Sequence, residues 1–494
     1  MAGRGRGVIA AGHPLSAAAG AGVLRDGGNA VDAALGAMLT SFVCEPLLTG
    51  LGAGGYMLIA VPGSEPVLLD FFVEAPGRGL AAGHRAALLP VAISFGDAVQ
   101  EFNIGVASVG GYGTPAGVCA ASERFGTVPL AELVKPAIRH AREGVALNTE
   151  QAYIVEILAA IVTSTPECAA LFAPGGTLLG VGGVIRQPEL ADALERLGAQ
   201  GAAPFYGGEI GRAIVAWLSE RGGLLTMADL EAYQVIDREP IRAQYRGRDV
   251  VTNPPPSAGG ILIAWALSLL EHDPAAPDAP RLAAVMERAQ RERTPTFLEG
   301  LTDPGFVRGF LLGGPLGSTT HIAVIDAGGM ACSVTCSAGS CSGVIVPGTG
   351  VHLNNMLGEQ DLNPLGFHRH PPGRRLPSMM APTIVLHDGQ PELVLGSAGS
   401  NRIRSAILQT IVRTLDDGLI ASQAVEAPRL HFEDGVVYAE PGIDTAALQG
   451  AGFRVVPFRE RNLFFGGTQA VQRDAEGRFW GGGDPRRGGA AVLA

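Results

Sequence analysis

The sequence predicts an α+β fold in which layers of helices pack against antiparallel sheets. Helical periodicity and hairpin patterns occupy separate stretches of the chain, and consecutive strand-like runs are joined by short turns. A βαβ nucleotide-binding fold would instead alternate strands with helices. With 494 residues, of which 47% are hydrophobic, the chain is long and apolar enough for a large core.

The N-terminal region predicts two helices followed by a β-hairpin. Apolar residues recur at helical spacing from residue 15 to residue 42, and Gly27 and Gly28 interrupt the run as a helix terminator does. A glycine-rich turn then leads into an apolar strand in LLTGLGAGGYMLIAV, and a second strand follows in VLLDFFVEAPG. The two strands are close enough in sequence to pair as a hairpin.

The middle of the chain, from Val118 to Leu270, is predicted to be mostly helical. Three stretches show amphipathic periodicity and end in glycine: PLAELVKPAIRHAREG, QPELADALERLGAQG and GEIGRAIVAWLSERGG. The rigid loop NPPPSAGG, which begins at Asn253, leads into a further helix. Residues 271–297 are polar, charged and contain several prolines, so we expect them to form an exposed linker towards Thr319.

Beyond Gly317 the pattern changes from helices to hairpins. TTHIAVID alternates polar and apolar residues, AGG turns the chain, and MACSVTCS alternates back. TIVLHDGQPELVLGS predicts a second hairpin that turns at Asp388 and Gly389, and RIRSAILQTIVRTLDDG predicts a helix. Strands and helices of this kind complete a layered sandwich.

The charge and the lysine content exclude several classes of function. The net charge of −11 leaves no basic stripe to offset phosphate repulsion, so we expect no nucleic-acid partner. Lys135 is the only lysine, and it lies in a helical pattern with no glycine-rich loop before it. Schiff-base catalysis and phosphate-loop chemistry are therefore set aside.

The cysteines and the apolar runs set further expectations. The six cysteines include no CxxC pair and no paired histidines accompany them, so we expect buried free thiols, no bound metal and no cofactor. The most apolar run, ILIAWALSLLEHD, is too short to span a bilayer, and no apolar run of signal-peptide length precedes the fold. We therefore expect a cytoplasmic protein with a small-molecule substrate and no membrane partner.

The stretch GSTTHIAVID, which begins at Gly317, places a threonine directly before a strand. A hydroxyl needs a base to act as a nucleophile, and no GxSxG motif marks a serine for a Ser-His-Asp triad. If the bond between Ser318 and Thr319 is cut, Thr319 gains a free α-amine, and this amine, with a pKa near ~7.7–8.0, can serve as the base. Strand propensity alone also explains two threonines at this place, so the pattern by itself leaves a catalytic and a structural role open.

Further motifs occur around this threonine in a fixed order. They are GHPLSAAAGAGVLRDGGNAVDAALGAML, LLTGLGAGGYML, FGTVPLAELVKPAIRHAREG, NPPPSAGG, TTHIAVIDAGG, PGTGVHLNN, PSMMAPTIV, GSAGSNRI and EAPRLH. Taken together, they resemble the γ-glutamyltranspeptidase family of N-terminal-nucleophile hydrolases over most of the chain. The resemblance favours the catalytic role of Thr319.

The resemblance implies a four-layer αββα sandwich of the N-terminal-nucleophile hydrolase type, made as one precursor. It implies that the precursor cleaves itself between Ser318 and Thr319. The large fragment would then be residues 1–318 and the small fragment residues 319–494, and the two would stay together as a heterodimer in one joint globular fold.

The resemblance also implies roles for residues of the catalytic machinery. Thr319 matches the family nucleophile, and Thr335 or Ser337 matches the second hydroxyl that hydrogen-bonds it. Gly399 and Ser400 stand where the family has a Gly-Gly pair whose backbone N–H groups bind the oxyanion. Because Ser400 keeps its N–H, we expect the machinery to be intact, with ~2.7–4 kcal/mol of transition-state stabilisation for one such donor.

The expected substrate site departs from the family at Phe72. Family members that bind glutamate use an arginine at this position, in a REXAP-like segment that here reads DFFVEAP. A phenyl group in place of a guanidinium removes hydrogen bonds to a charged group, worth ~1.5–3 kcal/mol each. γ-Glutamyl compounds are therefore expected to be poor substrates, unless Arg374, Arg375 or Arg402 replaces the missing arginine.

Other positions of the substrate site are changed or retained. The substrate-binding residues that the resemblance implies besides Phe72 are Phe71, Asn355, Met356, Glu359, Ser378 and Met379. Met356 and Glu359 align with family residues that hold an α-amino group, and Ser378 and Met379 align with paired serines. We expect Phe71, Phe72, Met356 and Met379 to form a partly apolar pocket for a ring-bearing or short acyl substrate.

The main functional hypothesis is a self-processing hydrolase that cleaves an amide or related acyl bond through an ester on Thr319. Hydrolysis is favoured over transfer, and the arginine-rich composition is compatible with specialised, antibiotic-type metabolism. One alternative is a C–C hydrolase that removes an oxalyl-type unit from an alkylproline-type intermediate. The others are a γ-glutamyltransferase or glutathione hydrolase with a relocated arginine, and a non-catalytic relative.

Overall fold

The computed structural model describes residues 2–3, 5–81, 86–94, 99–291, 320–363 and 366–494. Within these residues, two seven-stranded antiparallel sheets pack face to face, and each is covered on its outer face by helices. This is the four-layer αββα arrangement that the family resemblance predicts.

The first sheet contains the strand that follows Thr319 in sequence. From edge to edge its strands are β23 (Ala490–Leu493), β2 (Gly7–Ala11), β12 (Thr320–Asp326), β13 (Ala331–Ser337), β3 (Gly54–Ala60), β4 (Val67–Phe71) and β9 (Ile236–Arg238). In β12, Ile322 and Val324 face the helices, whereas Ala323 and Ile325 face the second sheet. Both faces of the sheet are buried, which explains the run of consecutive apolar residues from Ile322 to Ile325 in this strand.

The second sheet lies against the first through a shared apolar core. Its strands, again from edge to edge, are β1 (Ala2–Gly3), β22 (Phe479–Gly482), β21 (Gln469–Arg473), β17 (Gln390–Gly396), β16 (Thr383–His387), β11 (Arg248–Thr252) and β10 (Ile241–Tyr245). Ile384 and Val394 contribute to the core between the sheets, whereas Val385 and Leu393 face the outer helices. The alternation along each strand therefore fills two cores at once.

The helices that cover the first sheet come from the N-terminal half of the chain. They are α1 (Pro14–Arg25), α2 (Ala30–Cys44), α3 (Thr114–Phe125), α4 (Leu130–Leu133), α5 (Lys135–Glu143), α9 (Pro188–Gln200), α10 (Ala203–Tyr206), α11 (Glu209–Ser219) and α12 (Met227–Glu231). Gly27, with φ 98°, ends α1. Asn29 caps α2 through hydrogen bonds from the N–H groups of Val31 and Asp32.

The remaining elements form the other outer layer and smaller attachments. Helices α13 (Gly259–Glu271), α14 (Ala279–Arg291), α15 (Arg402–Leu415), α16 (Ala421–Glu426) and α17 (Thr445–Gly450) accompany the second sheet. Helices α6 (Thr149–Ile157), α7 (Ala159–Val162) and α8 (Pro166–Phe172) form a separate apolar cluster. The short strands are β5 (Leu89–Ser94), β6 (Val99–Ile104), β7 (Val145–Ala146), β8 (Val184–Ile185), β14 (Ile345–Val346), β15 (Val351–His352), β18 (Leu430–Glu433), β19 (Val436–Ala439) and β20 (Arg454–Pro457).

Most of the predicted elements are present. The pairs β3–β4, β12–β13 and β16–β17 are the three predicted hairpins, and Asp388 and Gly389 turn the last of them with positive φ. The middle region also contains strands β9, β10 and β11, which the helical prediction missed. The prediction of an exposed linker is wrong for Ala279–Arg291, which is helix α14 with Leu282 and Met286 buried; residues 292–297 lie outside the described residues.

Candidate active site

Strand β12 begins at Thr320, one residue after the threonine identified in the sequence. Ser318 and Thr319 themselves lie outside the described residues. In the antiparallel register with β13, Thr320 pairs with Cys336 and His321 pairs with Thr335. Strand β2 flanks the other side of β12, so the strand that leads away from Thr319 is held by two neighbours within the sheet.

The two candidate second hydroxyls, Thr335 and Ser337, have different surroundings on β13. Thr335 Oγ1 lies 2.8 Å from Nδ1 of His321. His321 is buried, and burial lowers the pKa of its imidazole to about 3. Ser337 is the last residue of β13, and its Oγ accepts a hydrogen bond from the N–H of Gly339 at 2.9 Å. Because the Ser337 hydroxyl is the acceptor in that bond, its own proton can be donated elsewhere.

The turn that follows β17 carries Gly399 and Ser400, and β17 itself packs against β12. Gly396, the last residue of β17, is so close to His321 that a Cβ at this position would lie 2.4 Å from the imidazole ring. Gly399 has φ 116° and Ser400 has φ 57°. For a serine this conformation costs about 1–2 kcal/mol, and such strain is often found at functional turns. The turn leads directly into α15, which begins at Arg402.

Two charged residues near the start of β12, Glu45 and Arg487, were missed by the sequence reasoning. Thr320 Oγ1 donates a hydrogen bond to Glu45 Oε1 at 3.1 Å. Burial raises the pKa of Glu45 to about 7, although the Thr320 hydroxyl and the charge of Arg487 act in the opposite direction. Arg487 reaches the turn of Gly399 and Ser400, where a Cβ at Gly399 would lie 3.1 Å from its Nη2.

Arg487 has few partners among the described residues. Its Nη2 donates to the carbonyl oxygen of Leu463 at 3.4 Å, and its buried Nε has no hydrogen-bond partner there. Burial and the nearby charge of Arg402 lower the pKa of Arg487 to about 10. In the sequence, the available signals were a glutamate that ends an apolar helix and two adjacent arginines in a glycine-rich turn.

Phe71 and Phe72 are adjacent at the end of β4 and point to opposite sides of the first sheet. Phe71 packs in the helical core, where a Cβ at Gly117 would lie 2.2 Å from its ring. Phe72 lies in the core between the sheets, and its ring stacks on that of Tyr56 with centroids 5.5 Å apart. A buried aromatic pair therefore occupies the place where the resemblance implies a carboxylate-binding arginine.

Arg375 lies beside Phe72, but its guanidinium is occupied. Its Nη1 donates to the carbonyl oxygen of Phe72 at 2.9 Å and to Glu74 Oε1 at 3.1 Å. Its Nε is 3.2 Å from Asp70 Oδ1, its Nη2 donates to two backbone carbonyls, and the guanidinium lies 4.5 Å from the centroid of the Tyr233 ring. Two buried carboxylates thus balance its charge and leave little capacity for a substrate.

The other two arginines considered as replacements are placed differently. Arg402 Nε donates to the carbonyl oxygen of Phe464 at 2.9 Å, and its guanidinium lies 4.6 Å from the centroid of that ring. Arg374 is half-buried, and its own carbonyl accepts a hydrogen bond from the N–H of Ala75 at 2.8 Å.

Asn355, Met356 and Glu359 lie together in the turn that follows β15. Asn355 Nδ2 donates to Ser340 Oγ at 2.8 Å, and Glu359 Oε1 accepts from the N–H of Ser340 at 3.0 Å. The N–H of Asn355 donates to the carbonyl oxygen of Ala338, which directly follows the last residue of β13. The structure therefore brings these polar residues to the end of β13, whereas the Met356 side chain lies in the core between the sheets.

Ser378 and Met379 lie in the segment before β16. Ser378 Oγ accepts a hydrogen bond from the N–H of Met380 at 3.0 Å, and the Ser378 carbonyl accepts one from the N–H of Ala258. The Met379 side chain packs into the outer core beside α13. Here the structure separates two residues that the sequence analysis grouped.

The expectation of one apolar pocket made by four residues is wrong. Phe71 packs with the first helical layer, Met379 with the second, and only Phe72 and Met356 share the core between the sheets. Neighbouring residues in an extended segment point to opposite sides, which separates Phe71 from Phe72. A cleft of about 240 Å³ does reach Leu357, the residue after Met356.

Neither a metal-ligand cluster nor a membrane-spanning helix is present among the described residues. In this part of the chain, no three histidine, cysteine or acidic side chains are placed so that they could hold a metal ion. All six cysteines are buried and unpaired. No described helix has the length and apolar character needed to cross a membrane.

The motif order, the four layers and the turn beside β12 agree with one family. The model of the gamma-glutamyltranspeptidase family matches residues 16–308 and 313–494. The chain belongs to the γ-glutamyltranspeptidase family. The sequence and the fold therefore identify an enzyme of the N-terminal-nucleophile hydrolase type, as the resemblance predicts.

Comparison with individual proteins shows how far the similarity extends. The acylase ACY 1 proenzyme of Pseudomonas sp. (strain V22) is 33% identical over an alignment of 523 residues, gaps included, which covers 99% of this chain and 93% of that protein. The glutathione hydrolase proenzyme of Escherichia coli (strain K12) is 31% identical, with coverage of 97% and 90%. The crystal structure of cephalosporin acylase from Bacillus halodurans superposes with a TM-score of 0.85 at 27% identity, covering 99% of this chain and 96% of the acylase.

Proposed function

We propose that this protein hydrolyses an amide or related acyl bond of a small molecule that is not a γ-glutamyl compound. The observation that carries the proposal is the buried side chain of Phe72, which stands where the family resemblance implies a carboxylate-binding arginine. Phe72 is 1% exposed and its ring is stacked on that of Tyr56. The adjacent Arg375 is balanced by Asp70 and Glu74. The relatives include both acylases and glutathione hydrolases, and this packing favours an acylase-type substrate.

The nucleophile in this proposal is Thr319, released when the precursor cleaves itself after Ser318. The relatives are named proenzymes, which supports such processing. In the first sheet, β2, β3, β4 and β9 come from residues 1–318, and β12, β13 and β23 come from residues 319–494. Because neither segment can complete this sheet alone, the two fragments are expected to remain associated.

Each step of the hydrolysis is assigned to groups of this chain. Thr319 Oγ attacks the substrate carbonyl carbon while the Thr319 α-amine accepts the hydroxyl proton. The N–H groups of Gly399 and Ser400 stabilise the oxyanion, and the α-ammonium passes its proton to the departing amine. Water then attacks the Thr319 ester and gives a proton to the α-amine. When the acid leaves, the α-ammonium passes this proton to Thr319 Oγ and so restores the hydroxyl.

We assign the second hydroxyl to Ser337 rather than to Thr335. The register pairs Thr320 with Cys336, so if it continues by one residue, Ser337 is opposite position 319. Thr335 lies one step in the other direction and is hydrogen-bonded to His321. A hydroxyl at the end of β13 is thus better placed to act on residue 319.

The test combines fragment masses with activity. Mass spectrometry of the purified wild type should give two fragments, residues 1–318 and 319–494, whereas Thr319→Ala should remain one chain without activity. Thr163→Ala, at an exposed position in another part of the fold, is the matched control and should behave as the wild type. A wild-type chain that stays whole would refute the proposed nucleophile.

A second measurement tests the substrate class. γ-Glutamyl 4-nitroanilide is compared with 4-nitroanilides of short acyl groups, with release of 4-nitroaniline as the readout. We expect at least one acyl anilide to be hydrolysed with a higher kcat/KM than the γ-glutamyl compound. Efficient γ-glutamyl release, above that of every acyl anilide, would contradict the interpretation of Phe72 and favour a relocated arginine.

A further inference from the structure

Arg487 has no ion-pair partner in the described part of the chain. Arg375, by comparison, has Asp70 and Glu74 as partners. Arg487 forms no ion pair within 4.0 Å among the described residues. Its single hydrogen bond to the Leu463 carbonyl, at 3.4 Å, uses one of the five N–H groups of a guanidinium.

A guanidinium that has left water normally requires an anion or several acceptors. The buried Nε of Arg487 has no hydrogen-bond partner among the described residues. Two buried carboxylates, Asp484 and Glu45, interact with Arg487 electrostatically, but neither lies at ion-pair distance from it. Asp484 is already paired with Arg429 and Arg486, and burial raises the pKa of Glu45 to about 7. Near neutral pH, Glu45 therefore carries only part of the negative charge that would balance this arginine.

The side chain of Arg487 is packed against the turn of Gly399 and Ser400. A Cβ at Gly467 would lie 2.4 Å from its Cδ, and a Cβ at Gly399 would lie 3.1 Å from its Nη2. The stem is therefore packed closely between two glycines, with the guanidinium next to the turn that binds the oxyanion in the proposed function. The residue as a whole is only partly buried.

We propose that Arg487 binds a carboxylate on the acyl part of the substrate, close to the scissile carbonyl. This inference rests on the proposed function and narrows its substrate class to short acyl groups that carry an anionic end. The carboxylate would lie beside Gly399 and not beside Phe72, where the family resemblance implies a carboxylate site. A charge-assisted, two-point hydrogen bond from a guanidinium suits this role.

The test uses succinyl 4-nitroanilide and butyryl 4-nitroanilide, which differ by a carboxylate in place of a methyl group. The wild type should prefer the succinyl compound by roughly 10- to 150-fold in kcat/KM, as expected for hydrogen bonds to a charged group. Arg487→Gln should remove this preference mainly through a higher KM for the succinyl compound, and Arg487→Lys should retain part of it. Arg459→Gln, at an exposed position, is the matched control and should keep the full preference.

Two outcomes of this assay would overturn the inference. One is an equal loss of activity on both substrates in Arg487→Gln, which would place Arg487 at the oxyanion or in the stability of the fold. The other is a wild type that hydrolyses the succinyl and butyryl compounds with equal kcat/KM.

A binding measurement separates the inference from the proposed function, since it needs no turnover. Succinamate should bind the Thr319→Ala chain at least tenfold more tightly than butyramide, and this difference should vanish when Arg487→Gln is added. Equal binding would overturn the role of Arg487. Tight succinamate binding by a protein that hydrolyses neither anilide would instead refute the proposed function alone.

Discussion

Replacing Glu45 by glutamine is expected to remove a pH-dependent loss of stability. Glu45 is 1% exposed, and burial raises its pKa from 4.5 to about 7. Between these two pH values the folded chain keeps a proton that the unfolded chain releases, so the free energy of unfolding falls as the pH rises. The contribution of the bound proton is fully present below pH 4.5 and is lost as the pH rises to about 7.

The magnitude follows from the pKa difference. A rise from 4.5 to about 7 corresponds to about 3 kcal/mol, at ~1.36 kcal/mol for each pH unit. A glutamine at this position cannot titrate. The free energy of unfolding of the variant, relative to that of the wild type, should therefore rise by about 3 kcal/mol between pH 4.5 and pH 7.5. The amide nitrogen that replaces the unpartnered Oε2 adds a cost of ~1–3 kcal/mol that does not depend on pH. The change with pH is therefore the informative quantity.

The assay is differential scanning calorimetry at several pH values. At about 2.1 cal/mol/K for each residue, the 494-residue chain has an unfolding entropy of about 1 kcal/mol/K, so ~3 kcal/mol shifts Tm by about 3 °C. The chains with Glu45 and with Glu45→Gln are both measured in the Thr319→Ala background, which excludes effects of processing. Glu460→Gln, at an exposed position, is the control. A Tm difference that stays constant from pH 4.5 to pH 7.5 would refute the reasoning.

Two further predictions concern the turn of Gly399 and Ser400 and a buried ion network. Ser400→Gly should be more stable than Ser400→Ala by about 1 kcal/mol, because both lack the hydroxyl but only glycine relieves φ 57°; equal Tm values would contradict this. Asp484→Asn should lose about 3–5 kcal/mol, because Arg429 and Arg486 lose the carboxylate that they contact at 2.7 and 3.1 Å. By the conversion above, its Tm should fall by about 3–5 °C, and a fall below ~1 °C would mean that Glu440 compensates.

The sequence predicted those parts of the fold that depend on local patterns. The break at Gly27 and Gly28 lies between α1 and α2, and the alternation in TTHIAVID gives β12. The prediction failed for Ala279–Arg291, where charged residues on one helix face concealed the buried face. A helix of this kind is stabilised by packing against the second sheet, which the local sequence does not show.

The candidate site was predicted only where a motif preserves its residues. The turn of Gly399 and Ser400 was found in this way, and the structure adds the strained φ of Ser400. Glu45 and Arg487 carry no motif and lie near opposite ends of the chain. Their proximity depends on how α2 and the C-terminal turn converge on β12, so it could not be predicted from spacing.

The sequence by itself determined the family, because ordered motifs are local properties of a chain. Through that resemblance it implied the four-layer fold and the candidate nucleophile. Only the tertiary structure decided which charges are balanced. It pairs Arg375 with Asp70 and Glu74 and leaves Arg487 without an ion pair among the described residues. The physical reason is that the cost of a buried charge depends on the atoms within a few ångström of it, and these come from distant segments of the chain.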